Sequence, residues 1–345
     1  MLTPRRVAGA GVADAAGRTV LAAVLGLLTL GPPAATPRVP LSGLDLHSPL
    51  VLTVNGAPDD AAAVLGSVAR ILQVDLGLPL PSRVSAHVYD APLRFREGLV
   101  SHASVPAARA AELAEFAIGA TVPGAVHLLA PARATPPPAE WPRLIAHELT
   151  HVAQIELAGG HRGPAQWLAE GMAEWVAYRV LERLDLDDFT ARRATARTAA
   201  LEYVASTGGL DLGALATPDG FLARHRQIGT LLTYRLVLHL AGDLVAQHGF
   251  APLVGYFRAF RLSADAAANF TTSFGTSVNA FERAALARLA AEPAPAGPAI
   301  IGSASPGPCG PPASAACPGI AVPSPAATSR RAIRAPLPAL AAGAG

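Results

Sequence analysis

Two histidines four positions apart, His147 and His151, are where this 345-residue chain could do chemistry. Residues four apart in a helix share one face, so both imidazoles can converge on a single metal ion. Glu148 lies one step round the same helix, close enough to reach a metal-bound water without being a ligand. In this pattern His147-Glu148-Leu149-Thr150-His151 reads as a zinc site that carries its own general base.

Two imidazoles do not complete a catalytic zinc site, which has three protein ligands and one position left for water. The run from Trp167 to Trp175 supplies a candidate in Glu170, with eighteen residues between it and His151. That gap lets the first helix end at Gly159-Gly160, pass a loop through Pro164, and return as a second helix packed against the first. Glu170 then faces the imidazoles, and Gly171 beside it lets the two helices approach closely. Glu174, one helical turn on, points to the same side. Zinc-bound histidines give their second ring N–H to a carboxylate or carbonyl, and Glu174 is expected to take that hydrogen bond from His147.

These helices need a scaffold, and the chain ahead of them alternates strands and helices. Leu50–Val54 reads as a strand ended by Asn55-Gly56, Asp59–Leu76 as an amphipathic helix, and Val84–Tyr89 as a second strand. Helical patterns follow at 91–99 and 106–117, then a third strand at Ala125–Leu129, and a Pro136-Pro137-Pro138 linker. From Glu140 onward helices are expected at 140–158, 165–184, 188–206, 225–248, 250–262 and 278–291. The expected fold is α+β: an N-terminal α/β lobe over 37–138 and a C-terminal helical lobe over 139–292.

Both ends read differently. Residues 1–36 carry Arg5, Arg6 and Arg18, an apolar run from Val20 to Leu30, and small residues to Ala35. That is the layout of an export signal, cleaved near Ala35 or retained as an N-terminal anchor, and it implies an exported protein. From 293 to 345 Pro, Ala, Gly and Ser dominate, a composition that cannot bury enough apolar surface to fold. Both cysteines, Cys309 and Cys317, lie in that tail, so no core disulfide is expected. Net charge is +2 with scattered arginines, which argues against nucleic acid as a partner. Lysine is absent, which excludes lysine-based catalysis.

With Glu170 in place the chain resembles a known group. His-Glu-x-x-His with a glutamate eighteen residues on is the signature of gluzincin metallopeptidases, at the spacing of the aminopeptidase N-like branch. The run from Trp167 to Trp175 is similar to peptidase MA-like domains of bacterial exported proteins, and the resemblance spans roughly 45–290. It implies a zincin-like fold and one zinc ion on His147, His151 and Glu170. It implies Glu148 as general base, a peptide or protein substrate, and the strand near 125–129 as the sheet edge along which that peptide lies.

The resemblance also breaks in two places. The branch places a tyrosine, which stabilises the oxyanion, three residues before a glycine; here Arg226 precedes Gly229, with His225 beside it. His225 or Arg226 could supply that donor, with Tyr234 or Tyr203 as substitutes from elsewhere, and His225 is the candidate second catalytic residue. The glutamate that holds a substrate's free amine has no counterpart in Gly124–Leu128, so a strict aminopeptidase is not expected. A zinc-binding pseudo-peptidase that no longer turns over is the competing reading. His127, His239 and His248 read as packed residues, Trp167 and Trp175 as core, and Asn269-Phe270-Thr271 as a glycosylation tripeptide without a demonstrated route.

Overall fold

The computed structural model describes residues 21–23, 51–54, 61–130, 139–160 and 163–291. The signal expected at 1–36, apart from Leu21–Ala23, and the tail with both cysteines lie outside them. Residues 1–297 form one compact unit, which holds everything described below. No helix among the described residues is long and apolar enough to cross a membrane.

The architecture is α+β, with a small mixed sheet and a larger helical part. The strands are β1 (Leu21–Ala23), β2 (Val51–Val54), β3 (Ser85–Tyr89), β4 (Gly119–Val122) and β5 (Ala125–Leu129), in sheet order β1-β4-β5-β3-β2. β2, β3 and β5 run parallel, while β4 is antiparallel to β5 and β1 is antiparallel to β4. The parallel strands are joined through helices, as parallel pairing requires. α1 (Ala61–Arg70), continued by a π-helical segment at Ile71–Asp75, links β2 to β3; α2 (Pro92–Ser101) and α3 (Ala107–Ala114) lie between β3 and β4.

β4 corrects the sequence reading. The strand at 125–129 is interior, with β3 on one side and β4 on the other, so it is not the sheet edge. Gly119–Val122 offers only four small residues without apolar–polar alternation, and all four are buried. Its signal lies in the turn that follows: Gly124 takes φ +72°, a left-handed value open to glycine, and folds β4 back onto β5.

The helical part is α4 (Glu140–Leu157), α5 (Gln166–Arg183), α6 (Phe189–Thr207), α7 (Pro218–Ile228), α8 (Thr230–His248), α9 (Phe250–Ala259), α10 (Ala266–Phe274) and α11 (Val278–Ala291). The helix expected at 225–248 is two, broken at Gly229 with φ +89°. α10 was not expected; Asp265 caps it, accepting from the amides of Ala267 and Ala268, and Gly275 ends it in the left-handed region. Asn269, on α10, is buried and donates to the Ser263 carbonyl at 2.8 Å, so the folded chain does not present that tripeptide for glycosylation.

Trp167 stacks on Phe281 and Trp175 on Phe250, inside the helical core. Gly171 serves a different neighbour from the one expected. A Cβ there would meet the Val237 carbonyl oxygen at 2.5 Å and the Ala241 Cβ at 2.9 Å, so the glycine admits α8 rather than α4. α5 thus runs between α4 and α8 and packs on both.

The two sheet faces are chemically distinct. Val126 and Thr121, paired across β5 and β4, face α4; His87 and His127, paired across β3 and β5, face α2. On the α2 side the rings of His102, His87 and His127 stack at 4.8 Å spacings, and the Tyr89 hydroxyl lies 3.0 Å from His127 Nδ1 and 3.3 Å from His102 Nδ1. His127 is therefore turned away from His147 and His151. Burial, reinforced by His87 and His102, pushes its pKa down to about 3. A histidine depressed this way contributes stability above its unfolded pKa of about 6.5, lost as pH falls toward 3. Between pH 7 and 4 this amounts to on the order of 3 kcal/mol. His127→Leu is expected to flatten that acid limb in urea unfolding at the two pH values; an unchanged slope would mean that His127 is not its source.

Candidate metal centre

α4 and α5 bring His147, His151 and Glu170 together, each with no solvent exposure. His147 Nε2 lies 3.0 Å from His151 Nε2 and 3.2 Å from Glu170 Oε2, and His151 Nε2 lies 3.6 Å from the same oxygen. Three ligands on a tetrahedral ion with bonds of about 2.0–2.1 Å stand about 3.3 Å apart, so these spacings match one shared cation.

The outer nitrogens decide the chemistry of the inner ones. His147 Nδ1 is 2.9 Å from Glu174 Oε1, and His151 Nδ1 is 2.9 Å from Gln154 Oε1. The Gln154 amide is oriented by its own donation to the Ala169 carbonyl at 2.8 Å, which leaves its oxygen toward the ring. Both Nδ1 atoms therefore donate, and both Nε2 atoms are left as lone pairs beside a carboxylate. Three electron-pair donors meeting away from water repel each other unless a positive charge joins them. Without a metal a proton takes that place: burial alone would lower the His147 pKa, but hydrogen bonds to Glu170 and Glu174 outweigh it and raise it to about 10, so Nε2 carries a proton that a cation would displace. Burial would raise Glu170, yet His151 and His147 hold it down at about 2. The cluster is built around one positive charge, and these three residues could hold a metal ion.

Glu174 is itself secured. Arg143 Nη1 donates to its Oε2 at 2.7 Å, and the guanidinium lies over the Tyr178 ring at 5.3 Å. Burial works to raise Glu174, and Arg143 followed by His147 wins, keeping the carboxyl below its ordinary value. Glu170 has its second oxygen on Gln166 Nε2 at 2.7 Å. Arg143, His147, His151 and Gln154 form one stripe at helical spacing on α4, and Gln166 sits one turn before Glu170. The spacing rule that selected the histidines could have selected these partners too.

Glu148 stands between α4 and β4. Thr121 Oγ1 donates to Glu148 Oε2 at 2.6 Å, whereas Oε1 is buried with no hydrogen-bond partner. Burial raises the Glu148 pKa, against the opposing pull of His151 and His147. The free oxygen lies over Gly119: a Cβ at that position would come within 2.2 Å of Oε1. Thr121 and Gly119 belong to the strand the sequence did not reveal, so no sequence signal pointed to them.

The donors expected near α7 separate. Arg226 is exposed and pairs with Glu112 at 3.1 Å, and Tyr203 directs its hydroxyl to the Leu210 carbonyl. His225 is buried, with Nε2 2.9 Å from Thr230 Oγ1 and its ring centroid 6.3 Å from that of Tyr234. Burial, aided by Arg226, lowers its pKa, so the ring is neutral at pH 7 and offers an N–H rather than a full charge. Tyr234 is closest to the cluster, its ring 6.0 Å from that of His147.

No family model matches the chain, and no curated protein or solved structure matches it.

Proposed function

We propose that the chain is a single-zinc metallopeptidase of gluzincin type that hydrolyses peptide bonds in an exported setting. The observation that carries this reading is the donor set: two histidine Nε2 lone pairs and one carboxylate converge beside a buried glutamate with a free oxygen. Two imidazoles and a carboxylate suit zinc, and the matching catalytic set leaves the fourth position open. Zinc held by His147, His151 and Glu170 would supply Lewis acidity there, acidifying a water and polarising a carbonyl.

The protein's own residues do the rest. Glu148 Oε1 takes the proton of the attacking water and delivers it to the leaving amine, and its raised pKa suits a group that must hold that proton in transit. Thr121 fixes the other oxygen, so the carboxylate presents a single face. The substrate would lie along β4, which borders Glu148, on the side where β1 pairs and in place of the strand at 125–129. Tyr234 or His225 donates to the developing oxyanion. No carboxylate stands in β4 or β5 to take a free amine, which favours endopeptidase action.

Hydrolysis of a quenched peptide by zinc-loaded protein, lost with a chelator and restored by zinc, tests the proposal. Zinc at one ion per chain with no hydrolysis of casein or peptide libraries, both by the whole chain and by a form lacking residues 1–36, would instead establish the pseudo-peptidase. That second reading draws on Arg226, which occupies the tyrosine position and is committed to Glu112 at the surface.

The support beneath His147 makes a separate prediction. Glu174→Gln keeps the size but removes the charge that holds His147 Nδ1 and Arg143, and is expected to weaken zinc about 10–100-fold. Competition with a chromogenic chelator measures it; unchanged affinity would reduce Glu174 to a packing role.

A further inference from the structure

The strand that borders Glu148 is already paired on its outer side, and its partner comes from the start of the chain. β1 is antiparallel to β4 in the register Leu21↔Thr121, Ala22↔Ala120 and Ala23↔Gly119, and it also touches α4. The two β4 residues that flank the base are Thr121, which donates to Glu148 Oε2, and Gly119, over which Oε1 lies. Those are the residues facing Leu21 and Ala23. An extended peptide adding to this sheet needs the same outer N–H and C=O groups of β4, and β1 uses them.

We propose that, in the chain that still carries residues 1–36, the Leu21–Ala23 segment is an internal occupant of the peptide-docking edge of β4, shutting the cleft to other extended chains until the segment is displaced or removed. The proposal rests on the reading of β4 as the substrate strand. Tethering gives the segment an effective concentration in the millimolar range, while a short three-residue ladder keeps the intrinsic pairing weak. Such an occupant excludes ordinary peptides yet yields to a change in its own backbone.

The test uses the full chain in two forms, unaltered and Ala22→Pro, because proline removes a ladder N–H and cannot continue a paired strand. Ala22 belongs to neither the metal cluster nor the Glu148 contacts, so zinc content is expected to stay equal. A labelled synthetic peptide of residues 18–25 is titrated into each, both carrying Glu148→Gln so that nothing is cut. About tenfold tighter binding to the proline form is expected, together with faster amide exchange at Gly119–Val122. Equal affinity in the two forms would overturn the proposal, as would unchanged exchange across β4. Failure of both forms to hydrolyse peptides, when Glu148 is restored, would count against the peptidase reading and leave the binding result standing.

Discussion

Glu148→Gln is expected to lower peptide hydrolysis about 10²–10⁴-fold while the protein keeps its zinc. Glutamine preserves the shape of the side chain and can still accept from Thr121, so the packing between α4 and β4 survives. It cannot take a proton, and the atom placed over Gly119 becomes a bystander. Glu148 is not among the three convergent donors, so metal analysis should read the same in both proteins. The pH profile adds a second readout: the acid limb of kcat/KM in the unaltered protein reports a carboxyl held above its ordinary value by burial, and it disappears with the substitution. Equal residual turnover in the two proteins would mean that the base lies elsewhere.

The second large effect is on the metal itself. Glu170→Gln removes the only carboxylate of the donor set, leaving two imidazoles and a neutral amide. Changes one layer further out already weaken zinc about 10–100-fold, so loss of a direct ligand is expected to exceed about a hundredfold. Thermal unfolding makes this visible without any substrate. A thousandfold excess of zinc over its dissociation constant stabilises the folded chain by about 4 kcal/mol, which for a domain of this size is a shift of roughly 8–16 °C. The glutamine variant should lose most of that zinc-dependent shift and still melt cooperatively when metal-free, because Gln166 can keep its hydrogen bond to position 170. A variant that retains the full shift would remove Glu170 from the cluster.

What could be read in advance follows from how local each signal is. His147, Glu148, His151, Glu170 and Glu174 lie on two long helices whose periodicity is plain in the sequence, and the fixed geometry of a helix turns spacing into a shared face. Strands 51–54, 85–89 and 125–129 announced themselves through runs of apolar and β-branched residues. Gly119–Val122 did not, because a four-residue strand of small side chains becomes a strand only by pairing with its neighbours. The two contacts of Glu148, Thr121 and Gly119, were lost with it. The orientation of Gly171 was equally hidden: a glycine marks a close approach, and only the folded chain tells which helix makes it.

That close approach has a bearing on which cations the cluster accepts. With α5 lying directly on the Val237 carbonyl, the backbone that carries Glu170 and Glu174 has no room to shift toward α8. A cage so braced does not swell on that side. Calcium asks for six to eight oxygens at about 2.3–2.6 Å, and a set of two imidazoles and one carboxylate, on a helix held close to α8, has too few oxygens. A helix contact made by the absence of a side chain thereby becomes a gauge of ionic size.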